Sequence, residues 1–362
     1  MVIEKVKLYR LQIPLKQPYK LASAVMKYFD CTIVALQSAG REGLGEAMAG
    51  VEGYFWETPD QVWQFAREKG RDIVGKDLSA AKRSMAGFVK KAPCATTPFL
   101  AALETLSGDF ALAPPSQPVL SPIVGILQEN DREGIMREID GFIADGYQTI
   151  KVKVGFDVEQ DIGRVRMAQE ALQGKAQLRA DANQGYTYAQ AARFVKGVDP
   201  GNLQFLEQPF KEKDWTAMAE LAKISPIPLG LDESIYDMES VDKARQLKCA
   251  QFVKFKLMKV ASARSLVECI EKSRQYGFGV ILGNGAAGEI NCYQEALVAG
   301  KTGTLAGEMN GFLKQTESVL VKALGMEGGS IRLMPDFKLQ LDEGKVEKFA
   351  IDQIVFHLKM YL

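Results

Sequence analysis

Beyond residue 118 the sequence alternates regularly between strand-like and helix-like segments. Short apolar runs predict strands, and the segments between them carry a helical pattern. The strands are predicted near 120–126, 148–154, 177–182, 203–207, 228–232, 251–257, 278–283 and 304–308. Eight even units with continuous apolar strands predict a parallel barrel, because such strands are buried on both faces. A doubly wound open sheet is the alternative, but it seldom has so many even units.

A different pattern precedes this repeat. Runs rich in apolar and β-branched residues at 2–13, 31–37 and 43–47 predict an antiparallel meander. Helical patterns follow at 58–75, 78–90 and 97–106, and the proline-rich stretch 113–118 predicts a linker. We therefore expect three parts, an α+β capping domain at 1–115, a barrel domain at 116–325 and a C-terminal segment at 326–362 that returns to the cap.

Composition limits the possible chemistry. Lysine and arginine equal aspartate and glutamate in number, which gives no support for nucleic-acid or membrane binding. The chain has no apolar run of about 18 residues and no hydrophobic signal core, so a cytoplasmic location is expected. The cysteines are scattered, which favours buried thiols over disulfides or a zinc site. His357 is the only histidine, so a histidine base or a catalytic triad is close to excluded.

Three of the predicted barrel strands end in a carboxylate. Asp181, Glu207 and Asp232 are separated by 26 and 25 residues. The carboxyl ends of barrel strands form one face, where active sites are built, so we expect these side chains to converge. Converging carboxylates require a cation, and an all-oxygen site suits Mg²⁺. The alternative is that each carboxylate caps a helix or pairs with a surface lysine. This explains a single carboxylate better than three at the same position of successive strand–helix units.

Lysines lie on both sides of the three carboxylates, in two pairs that each share a strand face, Lys151 with Lys153 and Lys254 with Lys256. Most lysines are surface residues, and we expect this of Lys248 and Lys259. Lys153 and Lys256 lie late in apolar strands, where neighbouring cations would lower their pKa from about 10.4. A carboxylic acid bound between them would lose its α proton to a lysine, and the metal would stabilise the resulting enediolate.

These motifs resemble those of the enolase superfamily, within the mandelate racemase/muconate lactonizing enzyme family. The resemblance spans nearly the whole chain and rests on Arg-Ala-Asp-Ala-Asn-Gln-Gly-Tyr at 179–186, Glu-Gln-Pro at 207–209, Asp-Glu-Ser at 232–234, Lys-x-Lys at 151–153 and Phe-Lys-Leu-Met-Lys at 255–259. The paired lysines resemble the muconate lactonizing enzyme subgroup. The mandelate racemase subgroup uses a His-Asp base, which His357 alone does not supply.

The resemblance implies a modified TIM barrel of the (β/α)7β type, completed by the cap. It implies that Mg²⁺ is bound by Asp181, Glu207 and Asp232. It also implies an acid/base pair with an assisting lysine and a surrounding layer: Lys153 and Lys256 opposed, Lys151 assisting, and Asn183, Glu233 and Lys254 around them. All reactions of the subgroup begin with the same proton abstraction. We expect a racemase or epimerase of a small amino- or imino-acid derivative.

Two other reactions stay open, because opposed lysines also suit them. These are dehydration of a small hydroxylated acid, such as a hydroxyproline-like acid, and cycloisomerisation. A non-enzymatic barrel relative is disfavoured, because no ligand or lysine is missing. The end of the eighth strand, 306–311, lacks the Asp-x-Asp of the family's dipeptide epimerases, which disfavours that activity.

The substrate is expected to be a small carboxylate, and the protein a homo-oligomer. In the family the cap closes over the substrate through segments that correspond to the polar loop 18–28 and to 51–56. Candidate contacts in the cap and at the barrel mouth are Tyr54, Trp56, Asn284, Glu308 and Asn310. Tyr54 and Trp56 fit a core position equally well. Glu308 would suit a cationic group, such as that of a proline derivative.

Overall fold

The computed structural model describes residues 1–20, 25–50, 55–321, 324–335 and 337–358. The chain begins with the antiparallel strands β1 (Lys5–Lys20), β2 (Val25–Ser38) and β3 (Arg41–Met48), followed by the helices α1 (Pro59–Ile73), α2 (Leu78–Ala86) and α3 (Pro93–Ser107). This is the predicted meander and helical segment. A loop over all of 18–28 is wrong, because the first two strands extend into it and Tyr19 pairs with Met26.

The alternation beyond residue 118 folds as predicted. The elements are β4 (Val119–Pro122), β5 (Gly125–Leu127), α4 (Arg132–Ala144), β6 (Thr149–Lys153), α5 (Val158–Leu172), β7 (Gln177–Asp181), α6 (Tyr188–Gly197), β8 (Leu203–Glu207), α7 (Trp215–Ile224), β9 (Leu229–Leu231), α8 (Met238–Leu247), β10 (Phe252–Phe255), α9 (Leu257–Val260), α10 (Ala263–Gln275), β11 (Gly279–Leu282) and α11 (Glu289–Thr302). The strands from β5 to β11 form one parallel sheet in chain order.

The eighth predicted strand closes this sheet through isolated bridges. Leu305 pairs in parallel with Ile281, and Gly307 pairs with Ile123 before β5. The barrel-type fold class is therefore confirmed. The residues that precede the barrel helices act as N-caps. The side chains of Asp157 before α5 and Thr187 before α6 each accept a hydrogen bond from a backbone N–H of the first helical turn.

The C-terminal segment contributes to two sheets. After a short 3₁₀ helix (Gly311–Lys314) come β12 (Gly325–Glu327), β13 (Ser330–Leu333), α12 (Glu343–Phe349) and β14 (Ala350–His357). β14 pairs with β1 of the cap, whereas β13 pairs with β4. The expectation that the whole segment returns to the cap is wrong for β13, since the alternating pattern of that run defines a strand but not its partner. The domain limits themselves stay a prediction.

The cysteines and the helices test two further expectations from the sequence. All five cysteines are buried and free, as predicted. Within the described ranges, no helix combines the length and the apolarity needed to cross a membrane.

Gly155, which follows β6, is required by both conformation and space. Its φ is +97°, and a Cβ there would lie 2.2 Å from the carbonyl oxygen of Ala182. We expect Gly155→Ala to lower the free energy of unfolding by about 3 kcal/mol, from the positive φ and the overlap together. Urea denaturation measures this loss.

Gly174 provides the matched control, because its φ is +75° and nothing lies within 4 Å of its Cβ position. Gly174→Ala should lower the free energy of unfolding by only about 1 kcal/mol, since the positive φ is the only unfavourable feature for alanine there. Equal losses for the two variants would show that the Ala182 carbonyl is not what demands glycine after β6.

Candidate active site

The carboxyl ends of adjacent strands bring three carboxylates together. Asp181 and Glu207 end β7 and β8 and lie opposite each other in the parallel register. Asp232 directly follows β9. All three are buried, at 0%, 1% and 0% exposure. The spacing of 26 and 25 residues in the sequence thus corresponds to one position on successive strands.

Two lysines bridge the carboxylates from the barrel interior. Lys151 Nζ lies 2.9 Å from Asp181 Oδ2 and 3.0 Å from Glu207 Oε2. Lys254 Nζ lies 3.0 Å from Glu207 Oε1 and 3.1 Å from Asp232 Oδ2. Because each ammonium is shared between neighbouring strands, the carboxylates need no solvent to balance their charge.

Glu308 is a fourth buried carboxylate of this cluster. Its Oε1 lies 2.7 Å from Lys254 Nζ and also contacts Lys151 Nζ. It comes from the eighth barrel segment, which closes the ring beside β5 and β11. In the sequence it is only a candidate substrate contact, because nothing there shows which lysines face it.

Lys153 and Lys256 lie on opposite sides of the three carboxylates. Lys153 Nζ, at the end of β6, donates to Asp181 Oδ2 and Asn183 Oδ1, each at 2.6 Å. Lys256, directly after β10, donates to Asp232 Oδ2 at 2.7 Å. β7, β8 and β9 lie between the strands that carry the two lysines. The lysine side chains therefore approach the same space from two directions.

The neighbouring polar residues hold this arrangement together. Asn183 has a positive φ of 40° and donates to Glu233 Oε1 at 3.2 Å. Glu233 is 2% exposed. Lys259 is also buried, and it donates to the Asp232 carbonyl at 2.8 Å. The expectation of a surface position for Lys259 is wrong, because the short helix α9 begins directly after Lys256 and directs the Lys259 side chain to the backbone that follows β9. Lys248 is exposed, as predicted.

Charge and burial shift the pKa of the site groups in opposing ways. Burial would raise the pKa of Asp181, but the charges of Lys151 and Lys153 lower it to about 2. Burial, together with the charge of Lys254, lowers the pKa of Lys256, as predicted. For Lys153 the direction is opposite to the prediction. Burial would lower its pKa as well, but Asp181, at 2.6 Å, raises it instead.

The predicted substrate contacts lie in different surroundings. Asn284 is 2% exposed, and its Oδ1 accepts from the backbone N–H of Ala286. Trp56 is 55% exposed and lies against Tyr236, with ring centroids 5.3 Å apart, so it is not a core aromatic. Tyr54 lies outside the described residues. The substrate-contact roles of these residues stay predictions.

Two residues that are not among the predicted substrate contacts lie at the barrel mouth, Tyr19 and Lys314. A Cβ on Gly285 would lie 3.2 Å from the Tyr19 hydroxyl and 3.5 Å from Lys314 Nζ. Lys314 Nζ donates to Asn310 Oδ1 at 2.9 Å. Tyr19 belongs to the polar stretch expected to close over the substrate, which is a usable signal. Lys314 follows the eighth strand in no recognisable motif.

The donor chemistry of the site fits a magnesium ion. The three carboxylates are buried, supply only oxygen ligands and already share cations with one another. Within the described residues, no three acidic, histidine or cysteine side chains are arranged around one common point. The ammonium groups of Lys151 and Lys254 lie between the carboxylates instead. A divalent ion at these oxygens would therefore compete with lysine charges.

Known proteins resemble this chain in sequence and in fold. Residues 134–336 match the family described as Enolase C-terminal domain-like. Related proteins include the D-Ala-D/L-Ala epimerase of Cytophaga hutchinsonii, 26% identical over 296 residues, which are 78% of this chain and 79% of the relative. Another is the N-succinyl-L-Arg/Lys racemase of Bacillus cereus, 24% identical over 301 residues, or 78% and 80% of the two chains.

Solved structures share the whole fold. The dipeptide epimerase from Cytophaga hutchinsonii, complexed with Mg and D-Ala-L-Val, has a TM-score of 0.86 at 22% identity, over 98% of this chain and 100% of that one. The muconate lactonizing enzyme from Pseudomonas fluorescens, complexed with muconolactone, has a TM-score of 0.85 at 22% identity, over 96% and 99%.

The chain belongs to the enolase superfamily, in its mandelate racemase/muconate lactonizing enzyme branch. The resemblance noted in the sequence is thereby confirmed. Epimerases and racemases among the relatives indicate an isomerase.

Proposed function

We propose that this protein is a Mg²⁺-dependent racemase or epimerase of a small amino- or imino-acid derivative. The observation that carries the proposal is the placement of Lys153 and Lys256 on opposite sides of three adjacent buried carboxylates. Relatives named as racemases and epimerases of amino-acid derivatives support it, among them the N-succinylamino acid racemase of Amycolatopsis, 29% identical over 271 residues.

Asp181, Glu207 and Asp232 are the residues that would hold Mg²⁺. When bound, the ion neutralises negative charge that develops on the substrate carboxylate as its α proton leaves. Lys151 would assist the acid/base pair from the barrel interior, where its ammonium group already forms ion pairs with Asp181 and Glu207. Asn183 and Glu233 would fix the orientation of this layer through their mutual hydrogen bond.

The two lysines move the proton. A substrate α carbon held between them presents its proton to one lysine, which must begin as the neutral amine. The opposite lysine, as the ammonium, returns a proton to the other face, and the configuration inverts. The reverse reaction exchanges the roles. Asn183, which accepts a hydrogen bond from Lys153 Nζ at 2.6 Å, holds that base in place.

The proposal is tested by incubating the protein with α-amino, N-acylamino and hydroxy acids in D₂O with Mg²⁺. We expect loss of the α-proton NMR signal of one acid, together with formation of its antipode. An alkene or keto acid would instead identify a dehydratase, and a lactone product a cycloisomerase. If no acid in a broad panel exchanges its α proton, the proposed function is wrong.

Lys254 should weaken the binding of Mg²⁺, because its ammonium bridges Glu207 and Asp232, two of the proposed ligands. Lys254→Met removes that charge with little change in side-chain length. We expect Mg²⁺ to bind this variant at least about tenfold more tightly, since like charges so close repel by more than 1.4 kcal/mol. Calorimetric titration, or Mn²⁺ electron paramagnetic resonance, measures the affinity without any substrate.

Lys213→Met serves as the control, because Lys213 is 91% exposed. It should leave the metal affinity unchanged. Equal Mg²⁺ binding by Lys254→Met would show that the charge of Lys254 does not oppose the ion, and weaker binding would show that the carboxylates need Lys254 to bind it.

A further inference from the structure

Lys314 is a cation near the proposed active site that the proton transfer does not use. It ends the 3₁₀ helix after the eighth barrel segment and is half-buried. Its Nζ donates to the carbonyl oxygen of Gly285 and to Asn310 Oδ1, both at 2.9 Å. Across the described part of the chain, its hydrogen bonds go to neutral oxygens, with no ion pair to a carboxylate. A desolvated ammonium of this kind gains most from an anionic partner.

Two residues from other segments, Tyr19 and Gly285, lie next to Lys314. Tyr19, near the end of β1, places its ring 4.8 Å from Lys314 Nζ. Its hydroxyl lies 3.2 Å from where a Cβ on Gly285 would be, so a side chain at position 285 would crowd the Tyr19 hydroxyl and Lys314. Burial lowers the pKa of Lys314 to about 8; the charge of Glu308 opposes this lowering, whereas the charges of Lys153 and Lys151 add to it. Lys314 therefore lies within electrostatic reach of the proposed catalytic lysine.

The charges around Lys314 indicate which kind of ligand would be bound there. The cluster brings together five carboxylates (Asp181, Glu207, Asp232, Glu233 and Glu308) and five lysines (Lys151, Lys153, Lys254, Lys256 and Lys259). Lys314 and a bound Mg²⁺ would add positive charge to a balanced site. One substrate carboxylate offsets only part of it. Glu308, held by two lysines, is not free to attract an ammonium group.

We infer that Lys314 and the Tyr19 hydroxyl bind a second carboxylate of the substrate, at the end remote from the reacting α carbon. The substrate is then an amino-acid derivative with an acidic acyl group or a comparable diacid, and not a cationic imino acid. This inference rests on the proposed function for the position of the first carboxylate. It replaces the expectation that Glu308 selects a cationic group.

Matched substrates test the inference. N-succinyl and N-acetyl derivatives of the same amino acids differ in the distal carboxylate, and dipeptides carry an ammonium there instead. The wild-type protein should prefer succinyl over acetyl compounds in kcat/KM by about 100-fold. Lys314→Met should remove about that factor for succinyl compounds, mainly through KM, and leave acetyl compounds within about threefold. Lys213→Met is the control, and Tyr19→Phe should have a smaller effect in the same direction.

Two results would overturn the inference. One is an equal loss for succinyl and acetyl compounds in Lys314→Met, which would mark Lys314 as a structural clamp. The other is a wild-type preference for acetyl compounds or dipeptides.

Direct binding separates this inference from the proposed function. If the wild-type protein exchanges no acid, the proposed chemistry fails, but calorimetry with glutarate and pentanoate still decides the role of Lys314. Tighter binding of glutarate by about tenfold or more, lost in Lys314→Met, supports the anion site. Equal binding of the two acids by wild type and variant rejects it.

Discussion

Replacing Lys256 with alanine is expected to lower the rate of racemisation by about 10³-fold or more, because a positioned acid or base contributes about 10²–10⁴-fold and both faces must be served. The side chain is buried and directed at Asp232, so water is a poor substitute at that point. Lys153→Ala should have an effect of similar size from the opposite face. Chiral chromatography of the product, with the acid identified by the exchange panel, measures both rates.

The control for these variants is Lys248→Ala, since Lys248 is exposed and lies at the end of a helix. It should leave the rate unchanged. Circular dichroism and thermal unfolding should show that each variant is folded. A loss of less than about tenfold in a folded Lys256→Ala protein would contradict the assignment of Lys256 as a proton carrier.

Removing the charge of Lys151 is expected to have the largest effect on stability. This ammonium is fully buried and contacts three carboxylates: Asp181, Glu207 and Glu308. Breaking a buried ion pair from one side costs about 3–5 kcal/mol, because it leaves uncompensated charge in the interior. We expect Lys151→Met to lose about that much free energy of unfolding in guanidinium titrations with EDTA present.

Mg²⁺ provides a second readout for the same variant. If the carboxylates bind the ion, its addition should restore part of the lost stability, because a ligand of the native state shifts the unfolding equilibrium. The exposed-site variant Lys213→Met should lose less than about 0.5 kcal/mol. A loss as small as that in Lys151→Met would show that the carboxylate cluster does not depend on this lysine.

The barrel was predictable from the sequence because buried parallel strands have a strong pattern. The same is true of Asp181, Glu207 and Asp232, since their place at the ends of successive strands fixes their proximity. The partner of a strand is less visible, and so β13 pairs with β4 where a return to the cap was expected. The pattern of a strand gives its faces but not its neighbours.

Contacts between distant segments were the hardest to foresee. The sequence predicts a surface position for Lys259, and only the helical turn after β10 directs it towards the Asp232 carbonyl. Glu308 lies between two lysines that precede it by 157 and 54 residues. The contact between Tyr19 and Lys314 likewise depends on how the cap packs against the barrel.

In the proposed reaction, Lys153 and Lys256 serve opposite faces of one α carbon. The decisive measurement is α-deuterium incorporation from D₂O into each separated antipode of the substrate by Lys153→Ala and Lys256→Ala. Each variant keeps one base, so each should exchange the α proton of one antipode without inverting it, and the two variants should act on different antipodes. Exchange of the same antipode by both variants, or of both antipodes by either one, would contradict the claim.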